Sequence, residues 1–320
     1  MMPAPRLRTA TRLAACAILA TLLVVAVRRF DLARVAAAIV ASRPQWLLLA
    51  AVCYAGILPL WALQWRVLAP PERRPSFATL FGVIAMTSSV LNTTPMLVGE
   101  AAAVVFLVTR AGLSRAAALS VLAMDQLILG VAKVSLLVLA AWLVVLPLWM
   151  ERGLRSLAGG VALLLVVLLT VAWGEQTMAR ATSRLPARAR RALHAVAAAL
   201  APLRSPSRGA AALGLALAKK LAEVIAILCI QRAFGVVLPA ATAVLILAAL
   251  NLATLLPVVP ANIGVYEAVV VIAYGSLGVN AERALAMALV QHACYFVALA
   301  LPGYGWLARG VRSRSAAASS

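Results

Sequence analysis

Residues 251–267 read NLATLLPVVPANIGVYE, and the fold turns on how a bilayer would treat them. The stretch is apolar enough to sit in hydrocarbon, yet Pro257, Pro260, Asn262 and Gly264 fall within eight residues of each other. Proline removes a backbone donor and clashes with the preceding turn, so a continuous helix is not expected there. Glu267 follows the break, and a new apolar run, AVVVIAYGSLGV, follows Glu267. Residues 91–100, LNTTPMLVGE, repeat this grammar, with Asn92, Pro95, Gly99 and Glu100 in order before AAAVVFLVTRAGLS. A second glycine, Gly112 or Gly278, lies twelve or eleven residues past the acid. A polar helix-start residue, Ser114 or Asn280, stands two positions later.

Non-helical backbone at membrane depth persists only when buried in protein or lining a wet cavity. Paired interrupted segments in corresponding halves point to a substrate site at a repeat interface. An ordinary Pro-kinked helix with a Glu near one end would explain a single copy. Two copies in one order favour a functional pair.

Composition places these stretches in a membrane protein. Apolar residues make up 65% of the chain and charged residues 12%, with a mean hydropathy of +1.02. Soluble domains carry about 45–50% apolar and about 25% charged residues. A net charge of +20 is of the sign that nucleic acid attracts, but the basic residues fall between apolar runs, as loops facing an anionic leaflet require. No nucleic-acid partner is expected. Cys16, Cys53, Cys229 and Cys294 are dispersed without paired spacing and read as small buried hydrophobes. The N-terminus imitates a signal peptide. Its apolar core follows the LAAC of residues 13–16 rather than preceding it, so it reads as an uncleaved first helix.

The expected fold is an all-α polytopic membrane protein in a single integral membrane domain, residues 1–320. It has about six full spans plus two inverted, Pro/Gly-broken helical units over residues 76–115 and 240–283. The spans are read over residues 10–27, 46–65, 118–150, 157–173, 210–230 and 284–308. Trp46 and Trp65 would mark the headgroup levels of the second. An amphipathic stretch, with Phe30, Leu32, Val35 and Ile39 opposite Asp31 and Arg34, would lie in the interface. The loop 174–209 has seven arginines and a helical apolar spacing, so anionic phospholipid is its expected partner. With the N-terminus inside and each broken unit returning to its side of entry, 18 arginines fall inside and 8 outside. That excess gives a bacterial-type inner membrane protein with both termini cytoplasmic, and units entering from opposite sides. Re-entrant hairpins and pairs of full spans satisfy the count equally.

An ionised side chain at a helix centre costs about 2.5–3.5 kcal/mol on insertion scales, so each one needs a partner, a cavity or a use. The candidates are Glu100, Asp125, Lys133, Lys219, Lys220, Glu223 and Glu267. Lys219 and Glu223 are four apart and would neutralise each other. Asp125 and Lys133, eight apart, could share a face without touching. Glu100 and Glu267 would either complement a helix N-terminus or face a central groove and attract a cationic headgroup or a proton. Asn92, Asn262 and Arg110 complete the candidate groove, and Pro95, Gly99, Pro257, Pro260 and Gly264 form its breaks. His194 and His292 stand alone and suggest neither a base nor a metal ligand. The sequence has no HExxH, CxxC, GxSxG or dinucleotide-binding GxGxxG context, so no catalytic residue, metal or cofactor is expected.

The Pro-x-x-x-Gly-Glu of Pro95, Gly99 and Glu100, followed by Arg-x-Gly-Leu-Ser at residues 110–114, resembles a signature of the lysylphosphatidylglycerol synthase transmembrane, flippase-like family. The Pro-x-x-x-Gly-x-x-Glu of Pro260, Gly264 and Glu267, followed by LGV at 277–279, resembles its second. In two-domain members the resemblance implies a membrane part that moves aminoacylated phospholipid and a soluble part that makes it. The chain stops eleven residues after Arg309, so the membrane part without the synthase domain is expected. The sequence departs from the family twice. Asp125 is followed by Gln126 where an arginine is usual, and residues 96–98 lack the usual basic residue. The function implied is translocation of a lipid or lipid-linked substrate. The alternative is a non-transporting scaffold for a lipid- or glycan-modifying enzyme, which would then be a partner.

Overall fold

The computed structural model describes residues 30–94, 96–146, 148–173, 205–254 and 260–318. The helix expected over residues 10–27, most of the loop 174–209, Pro95, Pro257, Cys16 and His194 lie outside them. Among the described residues the chain is helical without strands, an all-α membrane protein. In order, the helices are α1 Leu32–Val40, α2 Pro44–Ala55, α3 Ile57–Leu68, α4 Phe77–Leu91, α5 Met96–Thr109 and α6 Arg115–Leu143. They continue as α7 Leu148–Trp173, α8 Pro206–Ala233, α9 Ala240–Ala253, α10 Val265–Ser276 and α11 Ala281–Ala318.

Three stretches are long and apolar enough to cross a membrane: Pro44–Leu68, Arg115–Leu143 and Ala281–Ala308. Helices α7 and α8, with 26 and 28 residues, are also of spanning length. They carry Glu151, Arg152 and Arg155, and Lys219, Lys220 and Glu223. The expected span over residues 118–150 is too long. Helix α6 ends at Leu143, where Val144 turns extended (φ −148°, ψ 152°) ahead of Pro147, and Met150 belongs to α7. Glu151, Arg152 and Arg155 therefore lie on α7, with Arg155 3.7 Å from Glu151. Trp65 is buried at 1% exposure, so its ring faces the protein interior and not lipid.

The two interrupted units are hairpins whose arms pack on each other, α4 against α5 and α9 against α10. Their arms have 15 and 14 residues, and 14 and 12 residues. At 1.5 Å per residue these are about 18–22 Å long, below the about 30 Å of a hydrocarbon core. Each unit therefore consists of arms too short to span.

The repeated polar residues are the local punctuation of these hairpins. Gly112 and Gly278 adopt left-handed φ values of +69° and +79° just past α5 and α10. There the Leu113 N–H donates to the Leu107 carbonyl (3.1 Å) and the Val279 N–H to the Tyr274 carbonyl (3.0 Å), closing each helix end. Ser114 then caps α6 by accepting from the Ala117 N–H at 3.2 Å, and Asn280 caps α11 by accepting from the Glu282 N–H at 2.9 Å.

Helix α8 fixes the relation between the hairpins. Near its start, Ser207 and Arg208 share a recess with Arg66, in the last turn of α3, and Arg74, just ahead of α4. At its far end the Arg43 N–H donates to the Ala233 carbonyl (2.9 Å). Gly235 to Leu238, which lead into α9, share a recess there with Leu277 and Asn280, which leave α10. The hairpins thus start from opposite ends of α8, and their tips point inward from both. Helix α11 packs along α4 through small residues. The Ser89 hydroxyl donates to the carbonyls of Ala85 and Ala300, and a Cβ on Gly303 would run into the Ala85 carbonyl.

Candidate functional site

The inward tips bound a cavity of two joined lobes, about 250 and 300 Å³. Leu91 and Asn92 come from the first tip, and Thr254, Ala261 and Asn262 from the second. Ala261 and Asn262 hold left-handed φ values of 56° and 54°. That conformation is uncommon for a residue with a side chain and concentrates at functional sites. Asp125 and Lys133 line both lobes, being two turns apart on one face of α6. The first lobe adds Lys219, Lys220, Glu223 and His292, and the second adds Glu100 and Gln126.

Each charge has a specific setting. Asp125, 3% exposed, accepts from Trp61 Nε1 at 3.2 Å and Gln64 Nε2 at 2.9 Å. Glu100 accepts from Gln126 Nε2 at 2.6 Å. The departure Gln126 thus supplies a neutral donor to the motif acid. Lys220 Nζ donates to both oxygens of Glu223 at 2.9 Å and to Asn251 Oδ1 at 3.2 Å. The expected Lys219–Glu223 pair is therefore replaced by Lys220–Glu223, at i,i+3. One residue is about 100° of helix turn, and it carries Lys219 toward α3, where its Nζ sits 5.3 Å from the centre of the Trp61 ring.

The two motif acids occupy different settings. Glu267 lies in the first turn of α10 and its Oε2 accepts from the Gly264 N–H at 2.7 Å. Its other oxygen meets His292 Nδ1 at 2.6 Å. It lines neither lobe and reaches the cavity only through His292. Glu100 lies beyond the first turn of α5 and lines the second lobe itself. His292 is consequently not alone: Tyr266 stacks on its ring at 4.3 Å, and Gln291 Nε2 donates to the Tyr266 hydroxyl at 2.6 Å. Arg110 is exposed at the end of α5 and lines neither lobe. Gly99 is buried where α5 returns along α4, and a Cβ there would strike Leu91.

Trp61, Gln64, Asn251, Tyr266 and Gln291 belong to the site although no motif in the sequence marks them. Gln64 and Gln291, each 0% exposed, were the visible signal, as uncharged polar residues inside apolar runs. Trp65 Nε1 and Thr87 Oγ1, on the wall of the second lobe, have no hydrogen-bond partner among the described residues. A polar guest could satisfy them. Among the described residues no group of three or more His, Cys, Asp or Glu could hold a metal ion. The arrangement suits reversible binding of a charged or polar group inside an apolar body.

No curated protein matches the chain. The sequence profile described as Lysylphosphatidylglycerol synthase TM region matches residues 12–303. That match takes in both hairpins and every helix lining the cavity, and the chain belongs to the lysylphosphatidylglycerol synthase transmembrane-region family.

Proposed function

We propose that this protein is a translocase for a lipid or lipid-linked substrate in a bacterial-type inner membrane, with both termini cytoplasmic. The observation that carries the reading is the charged two-lobed cavity between hairpin tips that approach from opposite ends of α8. A headgroup would occupy the cavity while its chains stay in hydrocarbon. Motion of one hairpin against the other would expose the cavity to each face in turn. Glu100 and Asp125 would contact the headgroup, while Glu267 and His292 would act at its edge. The basic segment 174–209 would hold anionic phospholipid at the cytoplasmic face. No covalent step is needed, and the chain is not an enzyme in this reading.

The test is a leaflet-redistribution assay with the purified protein in vesicles. Glu100→Gln and the Glu100→Gln/Glu267→Gln double variant should insert normally and lose at least about tenfold in rate, about 1.4 kcal/mol of barrier. Wild-type rates in the double variant would remove both acids from the mechanism. No redistribution by the wild-type protein would overturn the proposal.

A further inference from the structure

We infer that His292, oriented by Glu267, is a proton-binding site in the first lobe of the cavity, and that its proton controls how tightly the second hairpin is held. The inference goes beyond the translocase reading and does not depend on it.

The second hairpin is fastened to α11 through one small cluster. Tyr266 and Glu267 lie in the first turn of α10, and Gln291 and His292 are neighbours on α11. Glu267 Oε1 meets His292 Nδ1 at 2.6 Å, Tyr266 stacks on the imidazole, and Gln291 Nε2 donates to the Tyr266 hydroxyl. Glu267 also holds the tip itself, because its other oxygen accepts from the Gly264 N–H. Gly264 has a φ of +86°, and Ala261 and Asn262 just before it are left-handed too. Any change in the Glu267–His292 contact is thus passed to the strained tip through one carboxylate.

The contact has the chemistry to hold a proton. An ionised carboxylate only accepts hydrogen bonds, so it fixes the neutral imidazole as the Nδ1–H tautomer and leaves Nε2 as a base. Nε2 has no hydrogen-bond partner among the described residues, and His292 lines the first lobe. A proton arriving from the lobe binds the Nε2 lone pair, the neutral ring becomes an imidazolium, and no other bond changes. The His292 and Glu267 side chains are only 12% and 15% exposed, so water screens the new charge weakly. A hydrogen bond between ionised groups is about twice as strong as a neutral one. Protonation tightens the grip of α11 on α10, and loss of the proton loosens it. In a translocase, motion of that hairpin would follow the pH of the face to which the lobe opens.

Histidine is the side chain whose ordinary charge change falls between about pH 5 and 8, and His292 is the one histidine among the described residues. Other titratable groups around the lobe are Tyr54 of α2, Asp125 and Lys133 of α6, and Tyr295 of α11 itself. Helix α8 adds Lys219, Lys220 and Glu223. From α4 and its end only the uncharged Ser88, Leu91 and Asn92 reach the lobe, and Asp31 and Arg34 of α1 pair with each other instead. None of these neighbours is an imidazole, so a response near neutral pH that vanishes with the His292 ring belongs to His292.

The test uses the full chain in vesicles between about pH 5.5 and 8.5, the range in which an imidazole titrates. Hydrogen exchange of residues 260–276, corrected for the intrinsic pH dependence of amide exchange, reads the grip on the hairpin without requiring transport. In the wild type, exchange should slow at least about fivefold from the alkaline to the acid end. In His292→Gln it should be flat, since the amide can still donate to Glu267 but cannot take up a proton. His292→Asn serves the same purpose if His292→Gln does not insert. Flat exchange in the wild type overturns the inference without any variant, and so does an undiminished pH response in either variant. Leaflet redistribution of a fluorescent phosphatidylglycerol in the same vesicles keeps the two readings apart. A pH-dependent grip with no redistribution at any pH would sink the translocase reading and leave the proton site. Redistribution beside exchange that ignores pH would do the reverse.

Discussion

Glu100 and Glu267 hold matching places in two sequence repeats, yet their carboxylates face different tasks. Glu267 satisfies an otherwise free N–H at the start of α10 and grips His292. Glu100 touches a single amide and stands at the wall of a lobe. Glu267→Ala should therefore lose a cap worth about 0.5–2 kcal/mol, read as a lower melting temperature in detergent. Glu100→Ala should melt closer to wild type while still losing transport. An equal fall for both would show that the two acids are structurally equivalent after all. Lys219→Met points the other way. Replacing a buried, unpaired ammonium by an apolar side chain of similar length should raise the melting temperature, because burial of the charge opposes folding. A marked drop would mean that the cation is needed for the fold itself.

At the scale of elements, glycine positions separate close packing from backbone shape. Gly303 presses against α4, and a methyl there would strike the Ala85 carbonyl and Ser89 Oγ. Gly305, two residues on, has nothing within 4 Å. Gly303→Ala should cost about 1–3 kcal/mol by overpacking, whereas Gly305→Ala should be neutral or gain up to about 1 kcal/mol from helix propensity. Comparable melting shifts would contradict the α4–α11 contact. Gly278 differs again. A Cβ there meets nothing within 4 Å, but φ is +79°, so Gly278→Ala should cost about 1–2 kcal/mol from the backbone alone. Gly99 links packing to function, since a methyl there would push on Leu91, which lines both lobes. Gly99→Ala should slow redistribution more than it lowers the melting temperature.

For the whole molecule, the decisive feature is that the hairpins start from opposite ends of α8. A membrane-impermeant thiol reagent should label Ser207→Cys and Val237→Cys from opposite sides of sealed vesicles, in a background where the native cysteines are replaced. Labelling of both from one side would remove the opposed arrangement, and with it alternating access. The outer surface agrees with a bilayer solvent: Leu97, Trp142 and Val145 are 80%, 88% and 96% exposed. That would be a liability in water and is ordinary against lipid.

The order of amino acids is enough to set the solvent, the helical class, the positions of both breaks and the identity of the punctuating residues. These follow from composition and local backbone chemistry: α4 and α9 end at Leu91 and Ala253, ahead of Pro95 and Pro257 in the sequence, Gly112 and Gly278 close α5 and α10, and Ser114 and Asn280 start α6 and α11. It also limited the buried charges to a short set, because ionised groups in apolar runs are few and visible. Tertiary structure alone decided which of them meet. A rotation of about 100° per residue chose Lys220 over Lys219 for Glu223, and Trp61, on another helix, took Lys219. His292 found Glu267 across 25 residues of chain, and Arg110 was left outside. Side-chain direction and the packing of distant helices set those outcomes, and no local pattern in the chain encodes them.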